Sequence, residues 1–420
     1  MERLVIEGGN RLVGEVEISG AKNAALPLLA ASILTDKPIV LDNVPDLRDV
    51  DTMCKLLVDL GVEVNKFGEH KLNLCAAKLK SHRAHYDLVR KMRASVLVLG
   101  PLLARLDRAL VSQPGGCAIG VRPIDQHLKG IKLLGADVDI VDGYVEADAK
   151  GGLKGTHIYL DIPTVTGTEN LMMAAVFARG ETLIENAAKE PEIVELANFL
   201  NSMGAQIGGA GSEIIRIQGV ESLSGTEYKL MPDRIEAGTL IVAAGITRGN
   251  ILLKGCMTQH VESVVEKLKE AGMEIKEEGA NLRAIGLYEI KAADVKTGPY
   301  PSFPTDMQAQ FMALMCFASG TSVITETIFE NRFIHVAELM RMGADIKVVG
   351  QRAVVRGTGR LNGANVMASD LRASACLVLA GLAAQGTTEV RRIYHLDRGY
   401  ERLDYRLNRL GANIKRKPQA

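Results

Sequence analysis

The chain has 420 residues, of which 47% are apolar and 24% charged, with 50 basic and 50 acidic side chains. That length accommodates two or more domains with large cores. Zero formal net charge and 4% aromatics argue against a nucleic acid or an anionic membrane surface as the main partner.

The first stretch, Met1-Glu2-Arg3-Leu4-Val5-Ile6, alternates like a strand and carries no targeting pattern. Beyond it the chain repeats. A turn with glycine closes a helical run at Leu60-Gly61, Leu134-Gly135-Ala136, Met203-Gly204-Ala205, Ala271-Gly272, Met342-Gly343-Ala344 and Leu410-Gly411-Ala412. These glycines lie 68 to 74 residues apart, so six units of about 70 residues fill the chain. Each unit opens with a small, apolar helix, expected over Asn23–Ile33, Arg93–Ala104, Thr168–Ala178, Glu236–Ile246, Asp306–Ala318 and Leu371–Ala384. A turn and a β-branched strand follow, as in Thr182-Leu183-Ile184. A second helix is amphipathic: Val261, Val264, Val265 and Leu268 form a single stripe. A helix that is apolar all round belongs inside. The expected fold is therefore α/β, with buried helices and outer sheets, in two lobes of three repeats. A boundary is expected near Gly225-Thr226-Glu227-Tyr228, before Pro232. A linear α/β solenoid is the competing arrangement, disfavoured by long insertions and the lack of polar end caps.

Between the first and second glycine turns of the repeat series, Gly61 and Gly135, lies the densest motif, Gln113-Pro114-Gly115-Gly116-Cys117-Ala118-Ile119-Gly120-Val121-Arg122-Pro123. A thiol on a glycine-rich loop beside a guanidinium has the setting that makes sulfur reactive. A plain surface turn with an incidental cysteine is the alternative. The other cysteines, Cys54, Cys75, Cys256, Cys316 and Cys376, are scattered without C-x-x-C, as in a reduced cytosolic protein.

Ionisable residues recur where the apolar helices begin: Lys22-Asn23, Arg93, Asp306, Asp370 and Arg372. Helix N-termini offer free N–H groups and partial positive charge, so anions gather there. Thr305-Asp306 and Ser369-Asp370 also fit plain N-caps. The cations do not, because a cation at a helix N-terminus is unfavourable until an anion arrives. Arg332 and Arg398, in polar turns, read either as exposed ion-pair residues or, with Lys22, Arg122 and Arg372, as a clamp for phosphate and carboxylate. The helix starts are expected to converge on one cleft. His82, His85, His127 and His157 have no partners at metal-ligand spacing, no G-K-[ST] or Rossmann fingerprint occurs, and neither metal nor nucleotide cofactor is expected.

Seven segments carry a resemblance: Ser19-Gly20-Ala21-Lys22-Asn23-Ala24, Met92-Arg93-Ala94-Ser95, Pro114-Gly115-Gly116-Cys117 through Arg122-Pro123, Phe303-Pro304-Thr305-Asp306-Met307-Gln308-Ala309-Gln310, Phe329-Glu330-Asn331-Arg332, Asp370-Leu371-Arg372-Ala373-Ser374-Ala375 and Asp397-Arg398-Gly399-Tyr400-Glu401. In these the chain resembles, end to end, the enolpyruvyl transferases that use UDP-N-acetylglucosamine as acceptor. The resemblance implies two inside-out α/β domains of three repeats each: residues 22–229 with the Cys117 loop, and residues 1–21 with 230–420. It implies transfer of the enolpyruvyl group of phosphoenolpyruvate to the 3-hydroxyl of the sugar, with loss of phosphate, and no cofactor. Lys22, Arg122 and Arg398 would hold phosphoenolpyruvate, mainly its phosphate. Arg332 and Arg372 would orient its carboxylate. Asp306 would take the proton from the attacking hydroxyl, and Cys117 would act as general acid. Asn23, Arg93, the run Arg122, Pro123, Ile124, Asp125 and Gln126, then Thr164, Val165 and Ile328 would line the UDP-sugar site, with Asp370 beside Arg372. Cys117 would also be the site of alkylation by the epoxide antibiotic fosfomycin. One stretch, Thr164-Val165-Thr166-Gly167-Thr168-Glu169-Asn170, departs from the Ser-Val-Gly-Ala-Thr form common in the family. The shikimate-branch enzymes share donor and fold but lack the cysteine loop. A non-catalytic repeat scaffold would leave the cations at buried helix starts unexplained, and a nucleic-acid-end-processing enzyme would fit poorly with the zero net charge.

Overall fold

The computed structural model describes residues 2–90, 92–113, 119–120 and 122–418. They form two compact units. The Lys22 unit holds the described residues of Gly20–Gly116 and Arg122–Met231, and the Asp306 unit those of Met1–Ser19, Cys117–Val121 and Pro232–Ala420.

Each unit is an inside-out α/β domain with three four-stranded sheets around buried helices. In the Lys22 unit the inner helices are α1 (Lys22–Ala31), α2 (Leu99–Leu106) and α3 (Val165–Ala175). In the Asp306 unit they are α4 (Arg234–Ile246), α5 (Gln308–Met315) and α6 (Leu371–Ala383). The composition of these helices dictates their place. Every residue of α4 from Ile235 to Ile246 is buried, as an all-round apolar surface requires. The second helix of each repeat, such as Glu262–Glu270, buries only its stripe, Val264, Val265 and Leu268.

Helix starts differ from expectation where proline or a cap intervenes. The second inner helix opens as a 3-10 turn, Arg93–Val98, and becomes α-helical at Leu99. Pro101 has no N–H to return to the carbonyl four residues back, which a first turn tolerates at no loss. The fifth opens likewise, with Thr305–Met307 as a single 3-10 turn after Pro304. The third begins three residues before Thr168, because Thr164 caps it, accepting from the Gly167 N–H at 3.3 Å.

All six repeat glycines have left-handed φ, from +93° at Gly272 to +107° at Gly411. That conformation ends the outer helix and turns the chain into the next strand. At Gly61 it is reinforced by crowding, since an added Cβ would lie 2.6 Å from the Lys80 nitrogen.

Each sheet combines one parallel and two antiparallel pairings. Three borrow strands from far along the chain; in one, Val13–Glu17 pairs in parallel with Asn250–Lys254. Thr226–Lys229 pairs in parallel with Ile39–Asp42, so the run at the expected boundary is a strand of the Lys22 unit, and the chain passes to the Asp306 unit at Pro232. Glu2–Glu7 lies between Thr387–Arg391 and Asn413–Pro418, antiparallel to both. Two of the places where the chain changes unit, Ser19 to Gly20 and Met231 to Pro232, are each fastened by a buried glutamate. Glu195 accepts from the Met231 N–H at 2.8 Å in the Lys22 unit. Glu236 accepts from the Ser19 N–H at 2.7 Å in the Asp306 unit, where it also meets Arg406 at 3.2 Å.

Candidate functional site

In the Asp306 unit the centre of charge is Asp306 itself. Its Oδ1 accepts from Arg332 Nη2 at 2.9 Å and its Oδ2 from Arg372 Nη2 at 2.7 Å. Both arginine side chains are 4% exposed and the carboxylate is 29% exposed. Two guanidiniums facing one carboxylate leave a surplus positive charge in a partly buried place, which suits a second anion.

Each group is set by a different element. Arg372 stands in the first turn of α6, where Asp370 is the N-cap, its Oδ1 accepting from the N–H groups of Arg372 and Ala373 at 2.9 and 3.1 Å. The plain-cap reading thus holds for Asp370. Asp306 makes ion pairs instead, and Gln310 donates to its backbone oxygen at 2.9 Å. Burial works against the Arg372 charge, but Asp306 and then Tyr400 more than offset it and hold the guanidinium charged above its usual range. Arg332 is fixed by the turn before it. Buried Glu326 takes the N–H groups of Ile328 and Phe329 at 2.8 and 3.2 Å and the Thr305 hydroxyl at 2.8 Å. Ile119 joins the same turn, its carbonyl accepting from the Asn331 N–H at 3.1 Å. Next to Arg332, His335 is fully buried; burial pushes it down to about 4 against the pull of Asp370, and Arg332 adds to the push.

Tyr400 was absent from the expected site residues. Its hydroxyl meets Arg372 Nη1 at 3.3 Å, Thr239 at 2.9 Å and Gln310 at 3.2 Å, joining α4, α5 and α6 behind the guanidinium. Its place in the motif Asp397-Arg398-Gly399-Tyr400 was the available signal. Arg398 ends the 3-10 turn Ile393–Arg398, half-buried, where it helps push the pKa of His395 down, after burial. Asp397 is taken by Arg416, at 2.9 and 3.1 Å.

In the Lys22 unit, Lys22 is the first residue of α1, 12% exposed, with its ammonium 3.6 Å from Asp49. Ala21 before it has no side-chain acceptor for the helix end. Asn23 follows, half-buried, and Pro27 has no N–H to offer the Asn23 carbonyl. Arg93 donates to the Pro123 carbonyl at 3.2 Å, which brings two expected residues together. The run Arg122 to Gln126 is stapled to the strand end before α3. Gln126 gives an N–H to Asp161 at 3.1 Å and accepts the Asp161 N–H at 2.9 Å. Pro123 and Asp125 are exposed, and Ile124 and Gln126 buried. Thr164 and Val165 form the start of α3. Asn170 reaches across from α3 to the Val96 carbonyl at 2.7 Å, so the Arg93 turn and the Thr164 turn are held by one contact. Cys117, and with it Pro114 to Ala118 and Val121, lies outside the described residues. An open groove of about 1100 Å³ along Glu262–Glu270, lined by Lys267, Asp294 and Arg352 among others, includes none of the expected residues.

Comparison with known proteins gives a consistent result. Residues 6–407 match the family model described as EPSP synthase (3-phosphoshikimate 1-carboxyvinyltransferase). The chain is 57% identical over 416 residues to the UDP-N-acetylglucosamine 1-carboxyvinyltransferase of Trichlorobacter lovleyi, covering 99% of both chains. It is 58% identical over 420 residues to the enzyme of that name from Desulfovibrio desulfuricans, covering all of both. Among solved structures, the enolpyruvyl transferase NikO from Streptomyces tendae superposes with a TM-score of 0.89 at 26% identity, over 99% of this chain and 98% of that one. EPSP synthase from Acinetobacter baumannii shares the fold, with a TM-score of 0.78 at 19% identity over the whole of both chains.

Proposed function

Because the chain belongs to the carboxyvinyl (enolpyruvyl) transferase family, we propose that it transfers the enolpyruvyl group of phosphoenolpyruvate to the 3-hydroxyl of UDP-N-acetylglucosamine and releases phosphate. This reaction commits the sugar to peptidoglycan synthesis in the cytoplasm. The observation that carries the reading is identity of 57–58% across the full length with relatives that bear this name.

The geometry supports a division of labour. Arg332 and Arg372 are forked donors already engaged with a carboxylate. A donor carboxylate arriving at that fork takes over part of their pairing. Asp306 is then released to take the proton of the 3-hydroxyl as its oxygen attacks C2. C3 gains a proton in the same addition, with Cys117 as general acid, giving a tetrahedral ketal. Loss of a C3 proton and departure of phosphate restore the double bond. Lys22, Arg122 and Arg398 hold the phosphate. Asn23, Arg93, Arg122 to Gln126, Thr164, Val165 and Ile328 receive the UDP-sugar, and Asp370 sets Arg372 by capping its helix.

Phosphate release from phosphoenolpyruvate, measured with UDP-N-acetylglucosamine in one reaction and shikimate 3-phosphate in another, tests the reading. Release with the UDP-sugar alone is expected. Release with the shikimate compound alone overturns the acceptor.

A further inference from the structure

The strand Asn413–Pro418 carries a guanidinium that spends all its donors on acids. Arg416 donates to Asp397 from Nη1 and Nη2 at 3.1 and 2.9 Å. It donates to Asp404 from Nη2 and Nε at 3.0 and 3.3 Å, and to Glu2 from Nη1 at 3.1 Å. Asp397 and Asp404 are each held by two contacts, the geometry that gives arginine its strongest pairing. An isolated surface ion pair contributes little. Here three carboxylates share one cation, the Arg416 side chain is 25% exposed, and those of Asp397 and Asp404 are 18% and 16% exposed. Asp397 foremost, with Asp404, outweighs burial and keeps the guanidinium charged.

Asp397 immediately precedes Arg398, and both belong to the 3-10 turn Ile393–Arg398. Packing fixes the rest of that turn. Ile393 and Leu396 are each 1% exposed. Gly399, which follows Arg398, lies so close to α6 that an added Cβ would sit 2.6 Å from Cδ2 of Leu371, the neighbour of Arg372. Tyr400 donates its N–H to the Leu396 carbonyl at 3.0 Å. The turn is thus clamped between the start of α6 and the last strand of the chain, and Arg416 is the clamp on the strand side.

We propose that Arg416 is a positioning residue for phosphoenolpyruvate: by holding Asp397 it sets the turn that presents Arg398 to the donor phosphate. The assignment rests on the role given to Arg398 above. Arginine binds phosphate through a planar fork with fixed directions, so the turn beneath it must be fixed too. Lysine at the same place is a flexible point charge, indifferent to small backbone shifts. That difference separates positioning from a general contribution to stability.

The test is steady-state phosphate release by the full chain, with KM measured for phosphoenolpyruvate and for UDP-N-acetylglucosamine and each variant first checked by thermal melting. Arg416→Met is expected to raise KM for phosphoenolpyruvate about tenfold and to leave kcat and the sugar KM within about twofold. Added to Arg398→Lys, the same change is expected to raise KM no more than about twofold further, because its effect runs through the Arg398 fork. Asp404→Asn should lower the melting temperature and keep KM near native, since the Asp397 contacts remain. If Arg416→Met does not fold, Arg416→Lys, which keeps the charge without the double fork, takes its place in each comparison. An unchanged KM for phosphoenolpyruvate overturns the assignment, as does an undiminished rise on top of Arg398→Lys. An equal rise in both KM values also overturns it, because that is general damage. A native protein that releases no phosphate with the UDP-sugar overturns the acceptor reading alone, and calorimetric titration of the same variants with phosphoenolpyruvate then decides on Arg416. A native protein that also fails to bind phosphoenolpyruvate overturns both.

Discussion

Arg372 and Asp306 meet at 2.7 Å with the guanidinium 4% exposed, while the Arg372 N–H is held by the Asp370 carboxylate at 2.9 Å. One residue is thereby fixed at both ends by two aspartates that look alike in sequence and act differently. Asp306→Asn keeps the shape but removes the proton acceptor and half the pairing. Phosphate release is expected to fall by about 10²–10⁴-fold. Stability should fall by only about 1–3 kcal/mol, because Asp306 is partly solvated and the amide still accepts. Full activity in Asp306→Asn would remove Asp306 from the proton pathway.

Tyr400 makes a distinct prediction. Its hydroxyl is the shared point of Thr239, Gln310 and Arg372. Tyr400→Phe leaves the ring packed and removes one buried polar atom. Stability should drop by about 1–2 kcal/mol, and the KM for phosphoenolpyruvate should rise as Arg372 loses its backing. Unaltered KM together with lowered stability would make Tyr400 purely a packing residue.

Glu236 should give the protein a pH-dependent stability. Burial raises its carboxyl from the usual 4.5 to about 7; Arg406 opposes this, Asp233 adds to it, and the Ser19 bonds oppose it. The folded state therefore holds a proton that the unfolded state has lost between pH 4.5 and 7. Stability falls as pH rises through that window, then levels off above it, with a change on the order of 3 kcal/mol. Subtracting the denaturation curve of Glu236→Gln from that of the native protein isolates this contribution. A difference independent of pH between 4.5 and 7 contradicts the account.

The repeat glycines separate strain from collision. Gly61 and Gly135 share a left-handed φ, +103° and +96°, but only Gly61 has backbone within 2.6 Å of a new Cβ, while Gly135 has nothing within 4 Å. Gly135→Ala should cost about 1 kcal/mol from φ alone, and Gly61→Ala at least about 1 kcal/mol more. Equal melting shifts would show that the neighbouring Lys80 backbone yields freely.

The cysteines make a chemical prediction. Burial raises Cys54 and Cys256 to about 11 and Cys316 to about 12, with nearby acids adding to the first two, and lifts Cys376 as well. Such thiols are poor nucleophiles at neutral pH. Peptide mapping after fosfomycin treatment should place the adduct on Cys117. An adduct on half-exposed Cys75 or on a buried cysteine would refute that assignment.

The repeat was legible because its two marks are local: an apolar run such as Leu240 to Ile246, and a glycine such as Gly343 that must turn left-handed. The cations at helix starts were legible for the same reason, since Lys22 and Arg372 contradict the local field. Roles set by distant chain were not. Whether an aspartate before an apolar helix caps it or pairs with arginines depends on Arg332 and Arg372, which reach Asp306 from 26 and 66 residues further along the chain. Thr226–Lys229 could not be read as a strand beside the boundary because its partner, Ile39–Asp42, lies almost the length of a unit away. Glu326 reads as an ordinary strand-end acid, and only its four acceptor contacts show that it builds the Arg332 turn.

The strand Glu2–Glu7 has an order of birth at odds with its place. It leaves the ribosome well before either strand that flanks it, Thr387–Arg391 and Asn413–Pro418. At about 5–20 residues per second, its second edge stays bare for roughly 20–80 s. The whole of the Lys22 unit is made during that wait. Leu4, Val5 and Ile6 are the kind of run that recruits other chains when left exposed. Glu2, Arg3 and Glu7 flank it with charge, which deters that recruitment until the last strand emerges.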